Sequence, residues 1–285
     1  MRKRMQQILR GLAVMAGLAQ AVPAAAQIGV IGGVPGGAVS GAGAASRAPL
    51  FGESGLVLGR GGWSLAGYAG YTRGSVDFVI SEVDFSFTQI LVGGFYGIAD
   101  KAMVGAILFP HNIVSVKTDF GDADESGMGD AQLYGKLQLV SSSSGNTTLA
   151  AIANVNLPIG SEEFGASGAI IGLRGAVSHS LQTVSLHGNF GVAFPTDDED
   201  GETTLLFGGA AVFAASPAVG LGAELIGSST SFSGERYTTI DLAPMARFRV
   251  GQRAHLDAGV QFNVSSSFDP NPFDYALVAG FTIGR

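Results

Sequence analysis

The chain has 285 residues, of which 46% are hydrophobic and only 14% charged, with 44 glycines and no cysteine. Its formal net charge of −7 excludes the basic surface that a nucleic-acid backbone requires. The absence of thiols excludes a disulfide framework and cysteine-based metal or redox chemistry.

Arg2, Lys3, Arg4 and Arg10 surround the start of an apolar run from Gly11 to Val22, which ends in Ala24, Ala25 and Ala26. A basic start, an apolar stretch and a small-x-small site predict a secretory signal peptide over residues 1–26, cleaved on export. The run is shorter than the ~20 residues of a spanning helix. Cleavage removes four of the 16 basic residues and none of the 23 acidic ones, leaving 12 against 23, a net −11. Later in the chain no 18 consecutive apolar residues occur, so no helical span is expected there.

Residues 27–61 are rich in Gly and Ala and show no period of 2 or 3.6. They read either as a flexible periplasmic leader or as a partial plug folded into the interior formed by the rest of the chain. From residue 62 to 285 a period of 2 takes over. Twelve strands are expected, near 62–73, 85–98, 102–114, 129–140, 149–158, 169–179, 184–194, 204–215, 219–229, 238–250, 254–264 and 275–285. Pro244 falls inside the tenth, where it removes a ladder donor and predicts a bulge.

The stretch AHLDAGVQFNV, residues 254–264, sorts its side chains by parity: Leu256, Val260, Phe262 and Val264 on one face, His255, Asp257, Gln261 and Asn263 on the other. A soluble sandwich would bury the apolar face, whereas an outer-membrane barrel turns it to lipid and encloses the polar face. The connections decide between them. Short turns at 99–101, 216–218 and 251–253 alternate with longer polar segments near 74–84, 115–128, 159–168, 195–203, 230–237 and 265–274. Short periplasmic turns, long external loops and an even strand number describe an all-β, up-and-down antiparallel transmembrane β-barrel of about 12 strands. Closure supplies every backbone hydrogen bond in hydrocarbon, the role disulfides play in other exported proteins.

The inward parity collects Lys136, Arg174, His187, Glu224, Asp241, Arg247, Arg249, His255 and Asp257. Charges of both signs along a lumen set solute selectivity in pores, or else form a salt-bridged network that fills the interior. Twelve strands lie between the filled eight-stranded barrel and the open porins. Arg247 and Arg249 should face Asp257 and His255 on the next strand. The carboxylates in 118–130 and 195–204 lack the spacing of a calcium loop and read as solvated surface. The four histidines come with neither a GxSxG elbow nor a HExxH motif, so no enzyme and no cofactor are expected.

The segments SGMGDAQLYGKLQLV (126–140), ANVNLPIGSEE (153–163), FGVAFPTDDEDGE (190–202) and YGIADKAMVGAIL (96–108) resemble, in order and spacing, the bacterial outer-membrane barrels grouped as MetA-pathway phenol-degradation proteins. The resemblance implies uptake of aromatic or other hydrophobic compounds. Together with the inverted polarity it leads us to expect a passive channel in the cell outer membrane for small solutes. The competing expectation is a narrow filled barrel with a structural or surface-interaction role. The expected partners are the bilayer, lipopolysaccharide, a small-molecule solute and the barrel-insertion machinery, whose signal the Gly280-Phe281-Thr282-Ile283 core resembles.

Overall fold

The computed structural model describes residues 48–285 except 79–80, 120, 198–202, 233–234 and 268–272. The signal peptide and residues 27–47 lie outside the described residues. Among those described there is no helix. The strands are β1 (Trp63–Phe78), β2 (Ser81–Ala99), β3 (Ala102–Thr118), β4 (Gly121–Gly127), β5 (Ala131–Ser141), β6 (Thr147–Leu157), β7 (Ile170–Ser180), β8 (Val184–Pro195), β9 (Thr204–Ser216), β10 (Val219–Phe232), β11 (Glu235–Val250), β12 (Ala254–Ser266) and β13 (Tyr275–Gly284).

Each strand pairs antiparallel with the next, except that β4 and β5 both pair with β3, and β1 pairs with β13 from Ser64↔Gly284 to Arg73↔Tyr275. The sheet therefore closes on itself. β4 and β5 share one place in the wall. The upper half of β3 pairs with β4 (Asn112↔Gly127 to Thr118↔Gly121) and its lower half with β5 (Ala102↔Leu137 to Leu108↔Ala131). The wall thus has twelve positions, as the periodicity predicts.

The side chains sort as an inverted barrel requires. On β12, His255, Asp257 and Gln261 are buried while Leu256, Val260 and Phe262 are exposed. The exposed set continues around the wall through Leu65, Leu133, Leu173, Phe190, Leu221, Leu225, Phe248 and Leu277. A soluble surface does not tolerate an apolar band of this extent, and a bilayer requires one. β2 and β3 differ on the inside. Leu91, Phe95, Met103, Ile107 and Phe109 are buried there and join one apolar cluster. That is why both faces of these strands read as apolar in sequence.

The structure corrects the sequence reading in three places. First, the expected polar loops near 74–84, 115–128 and 230–237 are largely strand: β1–β2, β3–β4 and β10–β11 run on as ladders to Phe78↔Ser81, Thr118↔Gly121 and Phe232↔Glu235. Second, the bulge does not fall at Pro244. The β11–β12 register is unchanged from Leu242↔Phe262 to Met245↔Gly259, with Ala243 and Pro244 simply left out of the ladder, and it shifts at Ile240/Asp241 instead. Pro244 lacks the N–H that its ladder position would use, so pairing lapses without a change of frame. A second bulge sets Phe109 and Pro110 opposite Leu91, where β3 changes partner. Third, Asp130 is not a solvated loop carboxylate. It is buried in the gap between β4 and β5 and accepts from Gly160 N at 3.1 Å and Ala166 N at 3.0 Å. The 158–169 connection is thereby folded back over this side of the mouth, with the Phe164 ring stacked on inward-facing Phe87 at 6.4 Å.

Candidate functional site

Residues 48–58 run inside the barrel. Arg247 Nη1 donates to Ala48 O at 2.8 Å near the short-turn end of β11. The segment then rises to an apex at Leu50–Glu53, against mid-strand residues of β10 and β12. It descends through Gly55, whose N donates to Ser178 Oγ at 2.8 Å, and leaves past Gly97, where Gly61 N donates to Gly97 O at 2.8 Å. The result is a U-shaped plug inserted from the short-turn side.

Two glycines of the wall make room for it. A Cβ at Gly259 would lie 2.7 Å from the Phe51 ring and 2.9 Å from Leu50, and one at Gly97 would overlap Gly59 O. Neither space is compatible with a side chain. Leu50, Phe51 and Leu58 pack into the apolar cluster, to which β2 and β3 contribute Leu91, Phe95, Met103, Ile107 and Phe109.

Polar contacts fix the apex. The Glu224 carboxylate on β10, itself buried, accepts from three consecutive plug amides: Leu50 N, Phe51 N at 3.1 Å and Gly52 N at 2.7 Å. Successive N–H groups converging on one carboxylate form an anion cradle, here with the anion on the wall and the cradle on the plug. Glu53 faces the other side, where its Oε2 accepts from Tyr134 OH at 3.0 Å and pairs with Lys136 Nζ at 3.0 Å. Lys136 Nζ also donates to Ser54 O at 3.0 Å.

Six of the nine residues expected on the inner face, Lys136, His187, Glu224, Arg247, His255 and Asp257, are buried there, and Arg174, Asp241 and Arg249 are partly exposed. The register sets Arg247 opposite Asp257 and Arg249 opposite His255. Arg247 Nε donates to Asp257 Oδ1, and Tyr68 OH completes the cluster, donating to Asp257 Oδ2 at 2.6 Å and lying 2.9 Å from Thr282 Oγ1. Asp241 stands apart and accepts from Gln261 Nε2 at 2.9 Å and Asn263 Nδ2 at 2.8 Å. His187 Nδ1 lies 2.8 Å from Ser178 Oγ, tying it to the plug through the same hydroxyl that Gly55 uses. The nine residues therefore form no single ring. One group holds the plug at Glu224 and Arg247, another at Lys136, and His187 acts through Ser178.

Sequence reading did not assign Glu53, Tyr68, Tyr134 or Ser178 to the site. Tyr134 stands on the inward parity of its strand, so a signal was available. Glu53 had none beyond being a lone acid in a Gly/Ala-rich stretch.

Unfilled space remains beside the plug apex. A cavity of about 30 Å³ lies between the plug apex and β7–β10, bordered by Phe51, Glu53, Arg174, His187, Asn189 and Glu224. This is room for one or two waters. Among the described residues no group of three or more His, Asp or Glu side chains is arranged to hold a metal ion.

Three solved structures share the fold. The COG4313 outer membrane channel from Pseudomonas putida F1 matches with a TM-score of 0.64 at 15% identity, over 80% of this chain and 97% of the other. The NanC porin matches at 0.53 and 9% identity, over 77% and 98%. The β domain of the Bordetella autotransporter BrkA matches at 0.51 and 13% identity, over 78% and 99%. No curated protein matches the chain. The architecture is that of an outer-membrane barrel. Residues 78–267, two thirds of the chain, match the family model described as "Putative MetA-pathway of phenol degradation", and the chain belongs to that family.

Proposed function

We propose that the protein is an outer-membrane passage for small solutes, moved by passive diffusion, whose resting state is closed by residues 48–58. The observation that carries this reading is the manner in which the plug is held. Among the described residues, 48–55 are fixed to the wall by individually reversible polar contacts to Glu224, Lys136, Arg247 and Ser178, and by no strand pairing. The wall at β9–β10 is lined with small residues, Gly208, Ala210, Gly220 and Gly222, so departure of the plug opens a lumen rather than collapsing one. The apolar inner stripe of β2–β3 suits solutes with an apolar or aromatic body, in keeping with the family's description. Export through a cleaved leader, insertion by the barrel machinery and lodging among lipopolysaccharide belong to the same proposal.

The cysteine-free chain allows a direct test. A Cβ at Gly52 would lie 3.2 Å from Asn189 Nδ2, so Gly52→Cys with Asn189→Cys puts two thiols within bridging reach. In liposomes the oxidised pair should pass no solute, and reduction should restore flux. Equal flux in the oxidised and reduced forms would remove the plug from the route. A second reading, a filled barrel without transport, draws on the cavity of only about 30 Å³. It predicts no flux in either state.

A further inference from the structure

We propose that the wall around Glu53 is a binding site for the carboxylate of a small organic acid with an apolar body, and that Glu53 fills this site in the closed state as an internal stand-in. The proposal rests on the plugged-passage reading above and names a solute class for it.

The site is built from one stretch of wall. Lys136 pairs with Ile152, and Ile152 with Arg174, so the three form one row across β5, β6 and β7. Tyr134 is two residues from Lys136 on the same face. The Lys136 ammonium sits 5.7 Å from the Tyr134 ring centroid, which fixes its direction. Tyr134 OH and Lys136 Nζ both address a single oxygen of Glu53, each at 3.0 Å.

Arg174 adds a second cation. Arg174 borders the same cavity as Glu53, and its buried Nε has no hydrogen-bond partner among the described residues. Two cations and a phenol thus surround one carboxylate. A guanidinium offers a planar fork shaped for carboxylate, and the ammonium and phenol complete the set of donors; the wall acid on the same cavity, Glu224, is engaged with the amides of Leu50, Phe51 and Gly52. The other flank is apolar. Phe95 meets Tyr134 edge-on with ring centroids 5.9 Å apart, Ile152 separates the two cations, and Leu91 and Ile107 lie beyond Phe95 in the same cluster.

Glu224 offers a contrast. Its partners are backbone amides of the plug, so the anion remains on the wall when the plug leaves. At Lys136 and Arg174 the anion itself belongs to the moving element. Departure of the plug leaves two neighbouring cations without their carboxylate partner, and an entering carboxylate compensates them again. Such a ligand therefore binds the unplugged state better than the plugged one and shifts the population toward it.

The test is calorimetric titration of the full-length protein in detergent, using benzoate, with benzyl alcohol and inorganic phosphate as comparison probes. Glu53→Gln preserves the plug's shape and removes its charge. It should bind benzoate at least tenfold more tightly than wild type, with benzyl alcohol unchanged. Adding Arg174→Gln, or separately Lys136→Gln, should erase the gain. Heat-dependent gel mobility establishes that each variant is a folded barrel, and two independent cation variants guard against failure of either. Equal benzoate affinity in wild type and Glu53→Gln overturns the proposal. So does a gain that survives both cation variants, or one shared equally by benzyl alcohol. A gain as large for phosphate overturns the carboxylate assignment. Binding is read without flux, so the two readings fail separately. Benzoate binding with no liposome flux sinks the passage and keeps the site, whereas flux of neutral solutes with no benzoate binding does the reverse.

Discussion

Glu224→Ala is the perturbation that most directly probes how the plug is held. The carboxylate accepts from Leu50 N, Phe51 N and Gly52 N, and these amides belong to the plug, so its loss weakens the plugged state and leaves the wall ladder untouched. Hydrogen bonds to a charged acceptor contribute about 1.5–3 kcal/mol each when both partners are otherwise unsatisfied. In the alanine variant the vacated carboxylate volume adjoins the existing cavity of about 30 Å³, so water enters and re-satisfies part of the amide demand. A net ~1 kcal/mol per bond over three bonds gives ~3 kcal/mol, a rise of about two orders of magnitude in the unplugged-to-plugged ratio. If the unplugged state holds ~0.1% of wild-type molecules, it should hold roughly 10% of the variant. Single-channel recording reads this as open probability, and liposome swelling reads it as flux. Glu224→Gln, which keeps one acceptor oxygen, should fall between. Open probability within twofold of wild type, in a variant whose gel mobility still reports a folded barrel, would refute the claim that these three bonds hold the passage shut.

Gly259→Val places carbon within 2.7 Å of the Phe51 ring. The plug apex is held by fewer bonds than the wall, so it should yield first, and overpacking of ~1–3 kcal/mol should raise open probability at least fivefold, more than Gly259→Ala does. Asp257→Ala leaves Arg247 buried without its carboxylate and removes a partner of Tyr68. Urea unfolding from lipid bilayers should show a loss of about 3–5 kcal/mol, and the paired change Arg247→Met with Asp257→Leu should cost much less. Leu225→Arg sets a charge on the outward face beside inward Glu224. The same unfolding assay should register about 2–4 kcal/mol of destabilisation if that face meets hydrocarbon, and almost none if it meets water.

The barrel was legible in the sequence because lipid and lumen impose opposite demands on alternate residues. Leu256, Val260 and Phe262 against His255, Asp257 and Gln261 carry that demand without exception. Legibility faded where the demand stopped. At the outer ends of β1 and β2 the alternation of apolar and polar residues breaks down, so Ser75, Asp77, Glu82 and Asp84 read as loop although they continue a ladder. The split between β4 and β5 depends on Asp130 meeting amides from a connection 30 and 36 residues further along, and no local pattern announces such a contact. The plug is the extreme case. Glu53 finds Tyr134 across 81 residues and Leu50 finds Glu224 across 174, through an irregular backbone that carries no period. Parity showed that charged side chains line the inside, whereas their grouping around an inserted segment is a tertiary property.

The Asp130 clasp on the 158–169 connection bears on how such a protein could leak. Phe164 is stacked on Phe87 toward the long-loop end, and residues 48–58 are seated from the short-turn end. Under the proposed passage the obstruction then lies at two levels held by separate contacts. If each level were free about 1% of the time and the two moved independently, both would be free together roughly one part in ten thousand. A barrier built that way would tolerate many copies of the protein in one membrane.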